Sequence, residues 1–151
     1  RILHGVSEMR FEIKGVEELN NVLKSIPVNS EKAVEEELKV IALDLQGKAQ
    51  RLAPVMLGDL RGSAFAVVGK NSLAIQTIDS EPKSIRADIP SADKLEAIVG
   101  FTEPYALRQH EEMGYRHPKG GQAKYLETPY KQNSKRYVDD LKETIRKAVD
   151  K

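Results

Sequence analysis

Between Ser30 and Leu52 the apolar residues Val34, Leu38, Ile41, Ala42, Leu45, Ala49 and Leu52 recur at helical spacing, so they share one face of an α-helix. A stripe of that length must be buried, and the rest of the chain has to supply what covers it. Ser30 is suited to cap this helix, and Glu31 sits favourably against the dipole in the first turn. Pro54 pushes Ala53 away from helical angles and ends it. Gly47 lies inside and is unfavourable by roughly 1 kcal/mol relative to Ala, which implies close backbone packing there, against a sheet.

The flanking segments read as smaller elements. Arg1 to Glu8 shows no periodicity and precedes Met9, and is expected to be a tag remnant outside the fold. Phe11 to Lys14 alternates as a strand, and Val16, Leu19, Val22, Leu23 and Ile26 form a short amphipathic helix up to Pro27. Asp59-Leu60-Arg61 connects to a hairpin of Ser63–Val68 and Leu73–Ile78 across the turn Gly69-Lys70-Asn71-Ser72. Residues 79–94 are charged and interrupted by Pro82 and Pro90, as in a long mobile loop. Thr128 as cap and Pro129 at the first helical position then open a C-terminal helix with the stripe Tyr130, Tyr137, Val138, Leu141, Ile145, Ala148 and Val149. The expected fold class is α+β: one domain over residues 9–151, with a small antiparallel sheet packed against a long helix and a C-terminal helix.

The stretch Leu95 to Glu127 carries the most unusual chemistry. It opens as a strand with Leu95, Ala97 and Val99 on one face and Glu96 and Ile98 on the other, halting at Gly100. Thr102 or Glu103 then caps a short helix with Pro104 in its first turn, and Gly114 stops it. The basic loop Arg116-His117-Pro118-Lys119-Gly120-Gly121 follows, before Ala123, Tyr125 and Leu126 return to apolar contact. A long, polar, Gly-rich excursion anchored by apolar residues at both ends reads as a contact surface.

Composition narrows the function. Lys and Arg number 24 against 23 Asp and Glu, a formal charge of +1 that gives no general drive toward nucleic acid or anionic membrane. The absence of Cys excludes disulfides, thiolate metal sites and a cysteine nucleophile. No apolar run approaches the roughly twenty residues of a membrane span, so a soluble chain without a membrane partner is expected. Aromatic residues make up 5% of the chain against 40% hydrophobic, which points to an aliphatic core rather than a ring-lined ligand pocket.

His110, Glu111, Glu112 and His117 are residues of the kind that bind zinc or a harder divalent ion, and a metal-dependent hydrolase using His110 and His117 is one alternative. The spacing opposes it, because the two histidines stand seven positions apart with a glycine between them, whereas a zinc-protease helix places them four apart. His110 packing or capping near the helix end, with His117 starting a turn before Pro118, accounts for the same residues. Asp59, Ser63 and His110 can be named as a triad, but no nucleophile-elbow sequence surrounds Ser63. Lys119-Gly120-Gly121 lacks the spacing of a phosphate-binding loop. Nucleic acid is the other alternative, through Arg108, Arg116, His117, Lys119 and Lys124 interleaved with Tyr115 and Tyr125, although glutamates at 111, 112 and 127 offset the patch.

Two segments together resemble a known family. Val99-Gly100, Pro104-Tyr105-Ala106, His110-Glu111 and the run Lys119-Gly120-Gly121-Gln122-Ala123-Lys124-Tyr125-Leu126 are similar to the head–tail joining proteins of long-tailed bacteriophages, also called minor capsid, neck or tail-completion proteins. Ala53-Pro54-Val55, then Gly58, Leu60-Arg61 and Ser63, resembles the turn that follows a long helix in that family, departing from its polar pair at Met56-Leu57. The resemblance implies a structural protein with no catalytic residue and no cofactor. It further implies a homo-oligomeric ring, six-fold in the virion, between portal or adaptor proteins and tail proteins, with DNA passing through the lumen. The implied location is the virion head–tail interface, reached from the bacterial cytoplasm during assembly. Pro54, Gly58, Leu60, Arg61, Ser63, Pro104, Tyr105, Ala106, His110, Glu111, Gly120, Gly121, Lys124, Tyr125 and Leu126 would then be fold and interface determinants. Tyr105 and Tyr125 can each also be core residues whose hydroxyl reaches a polar partner.

Overall fold

The periodic stripe forms the helix that its spacing demands, α1, over Val28–Leu52. The computed structural model describes residues 2–4, 10–11, 28–55, 59–69, 92–102 and 105–150. Val34, Leu38, Ala42, Leu45 and Ala49 are buried in one core, with Ile41 and Leu52 packed against it. Gly47 is buried as well. Ser30 is not the cap: α1 begins two residues earlier, and the Ser30 hydroxyl is buried without a hydrogen-bond partner.

The described elements follow in the order β1 (Ile2–His4), β2 (Arg10–Phe11), α1, α2 (Asp59–Gly62), β3 (Ala64–Val68), β4 (Ala97–Phe101), α3 (Ala106–Glu111) and α4 (Glu127–Val149). The architecture is α+β. The sheet runs β2-β1-β4-β3. β3 pairs antiparallel with β4 from Ala64↔Phe101 to Val68↔Ala97, and β1 pairs antiparallel with β2. β1 lies parallel to β4, with Ile2 opposite Val99 and His4 opposite Phe101, so one of the strand pairs is parallel. This corrects the expectation that Arg1–Glu8 stands outside the fold, because Ile2–His4 is a strand of the sheet. Three residues are too few to show a period, which is why the sequence pattern missed it.

β4 does not halt at Gly100 but continues to Phe101. Gly100 lies between Leu3 of β1 and Phe65 of β3, in the middle of a ladder whose backbone bonds hold it on both sides. Period-two alternation sends Ala64, Ala66, Val68, Val99 and Phe101 to the main core with α1 and α4, while Phe65, Val67 and Ile98 form a second cluster with Ala92 on the other face. Both faces of this strand pair are therefore covered.

α4 crosses the core with Tyr137, Leu141 and Ile145 buried, while Lys131, Lys135, Arg136, Asp139, Asp140, Lys142 and Glu143 are exposed, as the stripe requires. Val149, at its end, is exposed. The expected helix at 16–26, the rest of the 11–14 strand, the 70–78 arm of the hairpin, residues 79–91 of the loop, Met56 to Gly58, and Glu103 and Pro104 lie outside the described residues. Among the described residues no helix is long and apolar enough to cross a membrane.

Candidate functional site

A helix leaves its first four backbone N–H groups and last four carbonyls without intrahelical partners, and buried helix ends need those groups satisfied from elsewhere. The two motif segments do this at opposite ends of the two long helices.

At the start of α4, the Glu127 N–H donates to Nε2 of His110 at 3.2 Å. The Thr128 N–H donates to the Lys124 carbonyl at 2.9 Å, and the Tyr130 N–H donates to the Leu126 carbonyl at 3.3 Å. Pro129, between them, has no N–H to satisfy. Thr128 is therefore not the cap: the helix begins at Glu127, and no side chain of the preceding residue closes it. The imidazole of a residue 17 positions earlier takes that place.

His110 is fully buried. Because Nε2 accepts from a backbone N–H, Nδ1 carries the ring proton and donates to Glu111 Oε1 at 2.8 Å. Burial pushes the imidazole below its ordinary value, outweighing the opposite pull of Glu111. Both ring nitrogens are thus committed to the protein, leaving neither lone pair nor neutral donor for a metal or substrate. Among the described residues no three His, Asp or Glu side chains converge as metal ligands would. His117 lies in the exposed loop, where its carbonyl accepts the Gly120 N–H at 3.0 Å and closes a turn.

Glu111 also accepts a short bond from Lys124, whose ammonium lies 3.3 Å from Glu127, and Lys131 pairs with Glu127 at 2.6 Å. Burial would raise the Glu111 carboxyl, but hydrogen bonds from Lys124 and His110 outweigh it and hold the group below its usual range. Lys124 is raised chiefly by its bond to Glu111. Its backbone is left-handed, φ 54°, and its N–H donates to the His110 carbonyl at 2.8 Å, which ties the loop's exit to the end of α3.

Tyr125 resolves as a core residue with a bonded hydroxyl. It is fully buried, donates to the Ala106 carbonyl at 2.6 Å, and meets the rings of Phe101 and His110 edge-on at 5.0 Å each. Burial raises its phenol far above the ordinary value. Ala106 and Leu126 are buried beside it, whereas Tyr105 is partly exposed at the start of α3. Thr102 is not the cap of α3, whose N-cap position is Tyr105 with no side-chain cap bond, and Glu103 lies outside the described residues. The Thr102 backbone N–H donates to the Ser63 carbonyl at 3.0 Å, beyond the strand end and outside the helix. α3 ends at Glu111, three residues before Gly114.

The other motif closes the C-terminal end of α1. Arg61 donates from Nε to the Ala53 carbonyl and from its terminal nitrogen to the Arg51 carbonyl, each at 3.0 Å. The Gln122 N–H donates to the Leu52 carbonyl at 2.8 Å, and the Val55 N–H to the Gly120 carbonyl at 3.1 Å. Gly121, at φ +95°, lies so close to Pro54 that a Cβ would stand 2.4 Å from its Cα. The segments 53–63 and 119–126 thus meet in space. Leu60 is buried, and the Ser63 hydroxyl donates to the Leu60 carbonyl at 2.8 Å, so Ser63 is engaged in closing α2 and not in a triad with His110. Gly58 and Pro104 lie outside the described residues.

Between these anchors, Glu112 to Gln122 is exposed throughout except for a half-buried His117. Met113 is 72% exposed and Tyr115 40%. Sequence reasoning missed the buried Gln50, whose side-chain amide donates to the Arg61 carbonyl at 3.1 Å, and the Asp44–Tyr137 contact between α1 and α4. The i, i+4 pair Asp44 and Lys48 was the available signal for the latter. No family model, curated protein or solved structure matches the chain.

Proposed function

We propose that the chain is a phage or prophage structural protein of the head–tail joint, a neck or tail-completion component that acts by presenting surfaces to neighbouring subunits. The observation that carries this reading is the division of labour at the motif residues. Their polar groups close helix ends, while the loop they hold, Glu112 to Gln122, turns Met113 and Tyr115 outward. A loop pinned at both ends loses little entropy on docking, and exposed apolar residues on a rigid base suit repeated contacts. In this reading copies associate into a ring between portal or adaptor proteins and tail proteins, with DNA in the lumen, and no bond is made or broken.

Light scattering over a concentration series, paired with negative-stain imaging, tests it. Stepwise oligomers or rings are the expected result. A strict monomer that shifts duplex DNA at low salt and releases it at moderate salt would overturn the assembly reading in favour of nucleic-acid binding through Arg108, Arg116 and Tyr115.

A further inference from the structure

The face of α1 opposite its buried stripe carries two large apolar side chains in the open, Val40 at 59% and Leu43 at 43% exposed. Glu36, Val40 and Leu43 follow one another along a single stripe of that face. From Glu31 to Leu43 the helix has four carboxylates against two ammonium groups, and Lys94 pairs with Glu31, which leaves a net −1. Lys39 is shared between Glu35 and Glu36, so it cannot neutralise both.

The exposed loop has the opposite character. Met113 and Tyr115 are its apolar members, and α3 and the loop present Arg108 and Arg116 to solvent against Glu112, a net +1 once Glu111 is held by Lys124. The two patches are opposite in sign, alike in size of charge, and each has an apolar centre. They do not cover each other within one chain. The loop is fixed to the end of α1 at Leu52 and Pro54, and Val40 lies 13 residues before Ala53, about 20 Å back along the axis.

We infer that the basic Met113–Tyr115 loop of one copy docks on the acidic Val40–Leu43 face of α1 in a second copy. The contact is heterologous, so each copy keeps one loop and one helix face available and the chain of contacts continues until rotation closes it. Met113 suits such a seat because its flexible thioether adapts to branched side chains. Opposite charge at the edge sets register and speeds encounter, while the apolar centre supplies the area removed from water. This inference rests on the assembly reading and names the two surfaces that it uses.

Two charge-reversed chains test it by sedimentation velocity over a concentration series. One carries R108E and R116E, which makes loop and helix face both acidic; the other carries E36K and E37K, which makes both basic. Each alone should need about tenfold or more higher concentration than the parent chain to associate, because like charges meet in every contact. Mixed together they should recover association, because the acidic loop of one fits the basic helix of the other and the reverse holds too. Either variant associating alone as the parent does, or a mixture that stays apart, overturns the docking surfaces while leaving the assembly reading in place. A parent chain that is monomeric at every concentration overturns both. M113S, at an exposed position, removes the apolar centre without changing the charge of either patch and should also raise the concentration needed to associate; unchanged association in that variant counts against the inference.

Discussion

Gly121 lies against Pro54 with no room for a side chain, and this contact joins the loop after α3 to the end of α1. Its neighbour Gly120 has a similar backbone angle, φ +102°, but nothing within 4 Å of where a Cβ would stand. The pair separates two causes of strain that usually come together. Gly120→Ala should cost about 1–2 kcal/mol from backbone angle alone. Gly121→Ala adds the clash with Pro54 and should cost at least about 1–2 kcal/mol more. Urea denaturation of both variants measures the difference, and equal losses would mean that the loop is not seated on Pro54.

Arg61 is the second fastener at that end. Removing its guanidinium with Arg61→Ala leaves the Arg51 and Ala53 carbonyls without their charged donor and should cost about 1.5–3 kcal/mol. Arg61→Lys should recover only part of this, since one ammonium does not reproduce a planar fork reaching two carbonyls. Full recovery by lysine in the same urea titration would show that charge alone matters there.

Asp44 ties α1 to α4. One oxygen accepts from the Tyr137 hydroxyl at 2.6 Å and from Lys48 and Arg136 at 2.7 Å each. Burial acts to raise this carboxyl, but its donors outweigh that and hold it below its ordinary value, while burial and Asp44 raise the Tyr137 phenol. Tyr137→Phe should cost about 1–1.5 kcal/mol, and a double-mutant cycle with Asp44→Ala should show about 1 kcal/mol of coupling. Additive losses would mean that the two side chains are neighbours without an energetic link.

His110 makes stability depend on pH. Its folded value lies below the ordinary 6.5, so unfolding takes up a proton where the unfolded ring is charged and the folded ring is not. The contribution is fully present above about pH 6.5 and is lost as pH falls through the lower folded value, at no more than about 1.4 kcal/mol per pH unit. Glu111, Lys124 and Glu127 are the charged groups that face it. Thermal midpoints between about pH 8 and 5 should therefore decline on the acid side. His110→Gln should flatten that decline and leave the carboxylate losses at lower pH. An unchanged slope in the variant would assign the effect elsewhere.

The elements legible in the sequence were those whose signal is local and repeated. The stripes from Val34 to Leu52 and from Tyr137 to Ile145 fix both long helices, and the alternation of Leu95, Ala97 and Val99 fixes which face of β4 meets the core. Helix ends were harder. Ser30, Thr102 and Thr128 are good capping residues, yet α1 starts before Ser30, and at α4 an imidazole from α3 and the Lys124 and Leu126 carbonyls satisfy the first turn. That substitution is a tertiary event, invisible to any window of neighbouring residues. The same holds for Gly121 on Pro54, since a glycine read locally signals a turn and says nothing of what approaches it. Gln46 and Gln50 were passed over because a periodic apolar reading assigns amides to the surface, although both are buried. Within the two motif segments Pro54 meets Gly121, His110 meets Tyr125, and Glu111 meets Lys124, contacts between residues far apart in sequence that no local pattern shows.

Nitrogen-15 NMR of the His110 ring near neutral pH probes most directly whether the buried polar cluster is scaffold for the exposed loop rather than a reaction centre. A neutral ring protonated at Nδ1, with Nε2 accepting from the Glu127 N–H, unmoved by added zinc and titrating only below about pH 6.5, is the predicted result. A ring protonated at Nε2, charged at neutral pH, or shifted by stoichiometric zinc would contradict it.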